Sequence, residues 1–204
     1  MTSTHFPTAR WETGRMAMNG ILAVVGLAGT GKSTVVAMVQ KATGAPVVYF
    51  GGVIVGEVRR RGLAVNEQTE RTVREEVRRL HGMSAVAQLA ADDIGKQLTE
   101  QPLVIIDGLY SYAEYEYLTE RFPDTLRTLA VHAPRGLREE RLGKRPHRPL
   151  TPDEITSRDL REISTLDKAT PIVLADWHVV NDDSVDVLAE RLDRVGLTDE
   201  PMSR

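Results

Sequence analysis

Residues 26–33 read Gly-Leu-Ala-Gly-Thr-Gly-Lys-Ser and match the pattern G-x-x-x-x-G-K-[ST]. Each part of that pattern has a chemical reason. Glycines let the backbone curl until several N–H groups face one anion, and the N-terminus of the helix that follows adds its positive dipole end. On this reading Gly26, Gly29, Thr30, Gly31, Lys32, Ser33 and Thr34 form a cradle for phosphate, with Gly29, Thr30 and Gly31 as backbone donors. Lys32 bridges the β- and γ-phosphates, and Ser33 sets its hydroxyl on Mg²⁺. The bland alternative is a glycine-rich turn that merely packs a helix on a strand. Against it stand the apolar run ILAVV just before the loop and the helical pattern STVVAMVQKA just after it. A second feature is the run LVIIDG at 103–108, an apolar strand that ends in Asp107, the form expected of a carboxylate that completes the magnesium shell. Alone, a carboxylate there is often a loop residue or a helix cap, but open α/β sheets bind ligands at the carboxyl ends of their strands.

These residues need a scaffold, and the patterning supplies one. Short apolar runs at 21–25, 46–50, 103–106, 126–132 and 178–180 alternate with longer helical patterns, the signature of βαβ units. The expectation is an α/β fold with a five-stranded parallel sheet and helices on both faces. Residues 66–98 read as two helices broken near His81-Gly82 and rich in Arg/Glu pairs such as Glu75 and Arg79. Together with the chain from 51 they are expected to form a helical flap on the acceptor side. KRPHRPLT at 144–151 carries two prolines and four basic residues, and reads as an extended lid spanning about 144–157.

The 204 residues fit one domain, placed at 21–196, with polar, aperiodic tails at 1–20 and 197–204. Met16 and Met18 stand just before the first apolar run, which makes a start of translation there an open expectation. The net charge of −3 offers no global field for nucleic acid. Zero cysteines exclude disulfides, thiolate metal sites and a cysteine nucleophile. With no membrane span and no signal-peptide core, a cytoplasmic location is expected. Nothing in the sequence sets an oligomeric state.

Beyond the phosphate loop, the segments RRRGL, REEVRRLHGM, IDG, VHAPRGLREERLGKR, RDLREI and ADWHVVND are more specific. Through them the chain resembles P-loop kinases of the nucleoside monophosphate kinase and dephospho-CoA kinase group. It is most similar to the adenylate-kinase-related proteins described as AAA family ATPases. The guanine motif N-K-x-D of GTPases is missing, and the chain is too short for an oligomeric AAA+ module with its own helical domain. The resemblance implies ATP and Mg²⁺ as cofactors and a small, nucleotide-like acceptor.

The same resemblance gives the lid its role. Arg138, Arg141 and Arg145 recur at i, i+3 and i+7, and Arg158 and Arg161 are i,i+3 partners on the next helix. In such kinases lid arginines neutralise the transferring phosphoryl group, a role carried here to Arg141, Arg145, Arg158 and Arg161. A solvated face paired with Glu139, Glu140 and Glu162 is the alternative. On the acceptor side the chain departs from its relatives. Where monophosphate kinases carry Gly-Asp and then arginine, and another arginine past Asp-Gly, this chain has Gly51-Gly52 with Val55, and Leu109-Tyr110 after Gly108. The carboxylate that a dephospho-CoA kinase needs after its second strand is missing too. What remains favours a pre-ionised acceptor held by Arg59, Arg60, Arg74 or Arg78.

Several side chains read as structural. Tyr112, Tyr115 and Tyr117 are expected to pack on the sheet, whereas Tyr110, just past the carboxylate, faces the cleft. His147, between prolines, has no second ligand at metal spacing, and His178, on a predicted strand, reads as structural. Trp177 and Asn181 flank the last strand, where relatives hold adenine. Two functions therefore compete: phosphoryl transfer to a phosphorylated acceptor, and a slow ATPase or ATP-binding regulatory module.

Overall fold

A computed structural model describes residues 19–146 and 148–197. The expectations for residues 1–18, for translation starting at Met16 or Met18, for His147 and for residues 198–204 lie outside the described residues. The elements run β1 (Gly20–Val25), α1 (Lys32–Thr43), β2 (Val47–Tyr49), α2 (Phe50–Arg60), α3 (Glu67–His81), α4 (Ala85–Glu100) and β3 (Leu103–Asp107). They continue with α5 (Tyr112–Arg121), β4 (Leu126–His132), α6 (Arg135–Gly143), α7 (Pro152–Ser164), α8 (Ala169–Val173), β5 (Trp177–Val180) and α9 (Val185–Arg194). Helix starts follow their capping chemistry. The Asn66, Ser111 and Ser184 side chains accept from backbone N–H groups in the first turns of α3, α5 and α9, and Thr151 and Glu154 form a reciprocal capping box on α7.

The five strands are parallel and ordered β2-β3-β1-β4-β5. β1 alternates its side chains between two dry layers. Leu22 and Val24 pack under α1 and α9, with Val35, Val39, Leu188 and Leu192. Ile21, Ala23 and Val25 pack on the other face beneath α2, α4 and α5, with Phe50, Ile54, Ile94 and Leu118. Each of these side chains is at most 2% exposed, and fully burying one aliphatic side chain is worth about 1.5–3 kcal/mol.

Four details refine the sequence expectation. β1 begins at Gly20, and Leu197 is buried with its N–H donating to Leu192 O at 3.0 Å, so neither belongs to a tail. The run at 46–50 yields only three strand residues, because Phe50 turns into the core and opens α2. Of the expected flap, α4 lies in the core layer, with Ala87, Ala91 and Ile94 buried. Only α2 and α3 stand above the sheet edge, tied by Glu57, which accepts from Arg60 and Arg61, and by Arg61 to Glu76 at 2.6 Å. Finally, the segment expected as an extended lid is irregular only up to Thr151, where α7 begins.

Candidate functional site

β1 and β3 leave the sheet side by side, with Val24 paired to Asp107, so the phosphate loop after β1 and the carboxylate at the end of β3 meet at one edge. Chain connections diverge there, which is where open α/β sheets hold ligands. The loop is held open by several contacts. Lys32 Nζ donates to the carbonyl oxygens of Gly26 (2.9 Å) and Leu27 (3.0 Å), and Thr30 Oγ1 donates to Leu27 O at 3.0 Å. Asn181 Nδ2 donates to Thr30 O at 2.9 Å. Gly31 has φ 91°, and a Cβ there would collide with that Asn181 amide, so the position requires glycine on two counts.

The loop opens onto a cavity of about 360 Å³ lined by Gly29, Gly31, Lys32, Ser33, Thr34 and Asp107. Tyr49, Tyr110, Arg141, Arg145, Arg158 and Lys168 complete the lining. Arg141 is anchored, donating from Nη1 to Asn181 O at 3.0 Å and from Nη2 to Asn181 Oδ1 at 3.3 Å. Arg158 Nε donates to Glu162 Oε1 at 2.9 Å, and Lys168 Nζ donates to the other oxygen of the same carboxylate at 2.7 Å. Lys168 also lies 4.8 Å from the centre of the Tyr110 ring. Arg161 is not brought in. The inner stripe of α7 runs through the buried Ile155 and Glu162, and Arg161, about 100° round the helix from Glu162, is exposed.

The acceptor candidates divide. Gly51 and Gly52 form the first turn of α2 under the Tyr49 ring, and Gly108 (φ 99°) lies against Tyr110. Arg74 and Arg78 share one face of α3, and Arg78 approaches Glu114 at 3.9 Å. Arg59 is exposed, and Arg60 is taken up by Glu57. None of these four arginines lines the cavity. Tyr115 and Tyr117 pack against the core, and Tyr112 stacks on Tyr115 with ring centres 6.1 Å apart. His178 stacks on His132, Nδ1 to Nε2 at 3.0 Å, and Trp177 packs on the core rather than toward the cavity.

The AAA domain family matches residues 25–161. The chain is 35% identical over 167 residues to the UPF0200 protein of Pyrococcus abyssi, covering 80% of this chain and 88% of that one. The chain belongs to the UPF0200 family, within the AAA domain proteins. A longer relative, the UPF0200/UPF0201 protein of Archaeoglobus fulgidus, is 33% identical over 177 residues; the match covers 86% of this chain and 54% of that protein. Among solved structures, TT1252 from Thermus thermophilus superposes with TM-score 0.58 at 21% identity over 88% of this chain and 96% of its own. A shikimate kinase from Bacteroides thetaiotaomicron gives 0.55 at 15% identity (86% and 97%), and a gluconokinase from Sinorhizobium meliloti 0.54 at 17% (88% and 92%). This UPF0200 protein therefore has the α/β fold of P-loop kinases, as the sequence resemblance implied.

The electrostatics of the UPF0200 site follow from burial. Burial, and then the neighbouring Lys168 cation, lower Lys32 from 10.5 to about 7. Burial raises Asp107, with Lys32 opposing. Burial likewise lowers Lys168 against the pull of Glu162, while burial of Glu162 is outweighed by Lys168 and Arg158, which hold its carboxyl below the usual range. Behind Tyr110, burial pushes Glu114 up to about 7, although it accepts from Tyr110 N at 2.7 Å. The site thus concentrates positive charge and has few carboxylates. Lys168 escaped sequence reasoning because it stands in a short loop, STLDKAT, outside any periodic stripe. Asn181 was legible only as a possible base contact; its loop-fastening role depends on β5 lying beside β4.

Proposed function

We propose that this UPF0200 protein is a Mg²⁺- and ATP-dependent phosphotransferase that passes the terminal phosphoryl group of ATP to a small, nucleotide-like acceptor carrying a phosphate. One observation carries this reading: Lys32 of the P-loop shares its cavity with Arg141, Arg145, Arg158 and Lys168. A module that only binds nucleotide gains little from a second set of cations around the γ-phosphate, whereas transfer needs them where charge develops.

Lys32 and the backbone N–H groups of 29–31 hold the donor phosphates, and Arg158 and Arg145 meet the phosphoryl group in transit. Arg141 stands beside Asn181 near the end of β5. Ser33, an exposed residue of the cavity lining, and Asp107 are the residues that would hold Mg²⁺. Two protein ligands fit an ion that keeps most of its waters and takes the remaining contacts from phosphate. When bound, the ion neutralises charge on the β- and γ-oxygens.

Among the described residues lining the cavity, Asp107 is the only acidic one. A hydroxyl acceptor would find no second carboxylate to take its proton, so a dephospho-CoA kinase-like reaction is less well supported. An already ionised phosphate needs none. Gly51, Gly52, Gly108 and Tyr110 border its place, with Arg74 and Arg78 behind them.

A regulatory ATP-binding module is the second reading, favoured by one contact. Arg138 Nε on α6 donates to Ala28 O in the P-loop at 2.7 Å, and its guanidinium grips Asp159 on α7 at 2.6 Å. Nucleotide-driven changes in the loop would thereby reach α6 and α7. The two readings separate when purified protein and Mg²⁺–ATP are incubated with a panel of nucleoside monophosphates, dephospho-CoA and other phosphorylated metabolites. Mass spectrometry that finds one acceptor gaining a phosphoryl group supports transfer. No modified acceptor, with nucleotide-dependent protease sensitivity of 144–157, supports the module.

A further inference from the structure

Lys168 is the most deeply buried of the cations that line the cavity, at 1% exposed. Its ammonium is held at 2.7 Å by Glu162, which also takes Arg158 at 2.9 Å. Two cations thus share one carboxylate. Lys32 and Asp107 add one charge of each sign, so with Lys32 protonated the set Lys32, Arg158, Lys168, Asp107 and Glu162 carries one surplus positive charge at the cavity. Lys168 is also the charged neighbour with the strongest effect on Lys32, and Tyr110 lies on its other side at 4.8 Å. It lines the same cavity as the P-loop lysine and lies against Tyr110.

A purely structural ion pair does not account for this. Exchanging a buried pair for apolar groups is often neutral or stabilising, so fastening α8 to α7 gives little reason to bury a lysine at the edge of a cavity. The Lys168 N–H already donates to Glu162 O at 3.1 Å and joins the two segments without the side chain. A surplus cation next to Lys32 has chemical sense only if an anion arrives.

We propose that Lys168 is a phosphate-contacting residue that grips the γ-phosphoryl group between donor and acceptor, and that Glu162 is the counter-ion which keeps Lys168 and Arg158 aimed until that anion enters. The inference rests on the phosphotransferase reading and adds to it a residue that discriminates ATP from ADP.

The test compares calorimetric affinities for Mg²⁺–ADP and for the Mg²⁺ complex of a β,γ-imido ATP analogue, in the wild-type protein and in Lys168→Gln, whose amide can still donate to Glu162. Lys168→Gln should leave ADP affinity within about twofold while the triphosphate loses at least about tenfold, the size of one charged hydrogen bond. A structural role alone would weaken both ligands equally and lower the melting temperature. Equal loss, or none, overturns the assignment. Failure of the wild-type protein to bind either nucleotide overturns both the assignment and the phosphotransferase reading. Should Lys168→Gln not fold, Glu162→Gln tests the counter-ion: inorganic tripolyphosphate should bind at least about threefold tighter, because no carboxylate must be displaced. Unchanged or weaker binding overturns the proposal.

Discussion

The side-chain amide of Asn181, at the end of β5, donates through Nδ2 to the carbonyl oxygen of Thr30, 151 residues away in sequence and 2.9 Å away in space. The same residue accepts from Arg141 at 3.0 Å through its backbone oxygen, so one buried asparagine ties together the P-loop, α6 and the last strand. Asn181→Ala should cost about 1–3 kcal/mol in thermal or denaturant unfolding, the penalty for leaving buried polar groups unpaired. It should also weaken Mg²⁺–ATP binding by loosening the loop; calorimetry showing unchanged affinity would mean the loop holds its shape unaided.

Burial holds Lys32 at about 7, below its usual 10.5. In that window the folded protein holds fewer protons than the unfolded one. Burial of Lys32 therefore penalises the fold below about pH 7, and the penalty fades as pH rises toward 10.5. Incoming phosphates reverse the shift. At about pH 8, nucleotide binding should draw in up to roughly one proton, visible as a buffer-dependent heat in calorimetry. Lys32→Ala should remove both this uptake and most of the binding.

Glu114 presents the opposite sign. Its folded value of about 7 lies above the usual 4.5, so the folded state holds an extra proton between those values and stability falls as pH rises through that interval. Glu114→Gln should flatten that part of a melting-temperature profile. Parallel profiles for the two proteins would mean the Arg78 cation keeps Glu114 ionised throughout.

Arg158 and Arg161 are three residues apart but point differently, one into the cavity and one into solvent. With an acceptor identified, Arg158→Ala should lower kcat by about a hundredfold and change Mg²⁺–ATP affinity much less, as expected for a contact made in the transition state. Arg161→Ala should stay within about twofold. Comparable losses in steady-state assays would indicate that α7 turns when the site closes.

Much of this was readable from the chain. The parallel sheet, the loop at 26–33, Asp107 and the break at His81-Gly82 were legible because short apolar runs and glycine spacing are local signals. Tyr110 likewise lines the cavity as its position after Asp107 implied. Lys168 and Asn181 were not legible in these roles, since each depends on contacts between distant segments. Arg161 was misplaced in the cleft because i,i+3 spacing alone does not say which side of α7 faces inward. That is decided by Ile155 and Glu162, which bury the other side.

β1 occupies the centre of the sheet, between β3 and β4, with every residue buried. During synthesis, its neighbours emerge only after Leu103 and Leu126 have been added. At roughly 5–20 residues per second, this apolar strand spends several seconds without either partner. A nascent chain of this protein must therefore pass through a stage in which β1 is an unpaired hydrophobic segment, a surface prone to aggregation until β3 and β4 arrive.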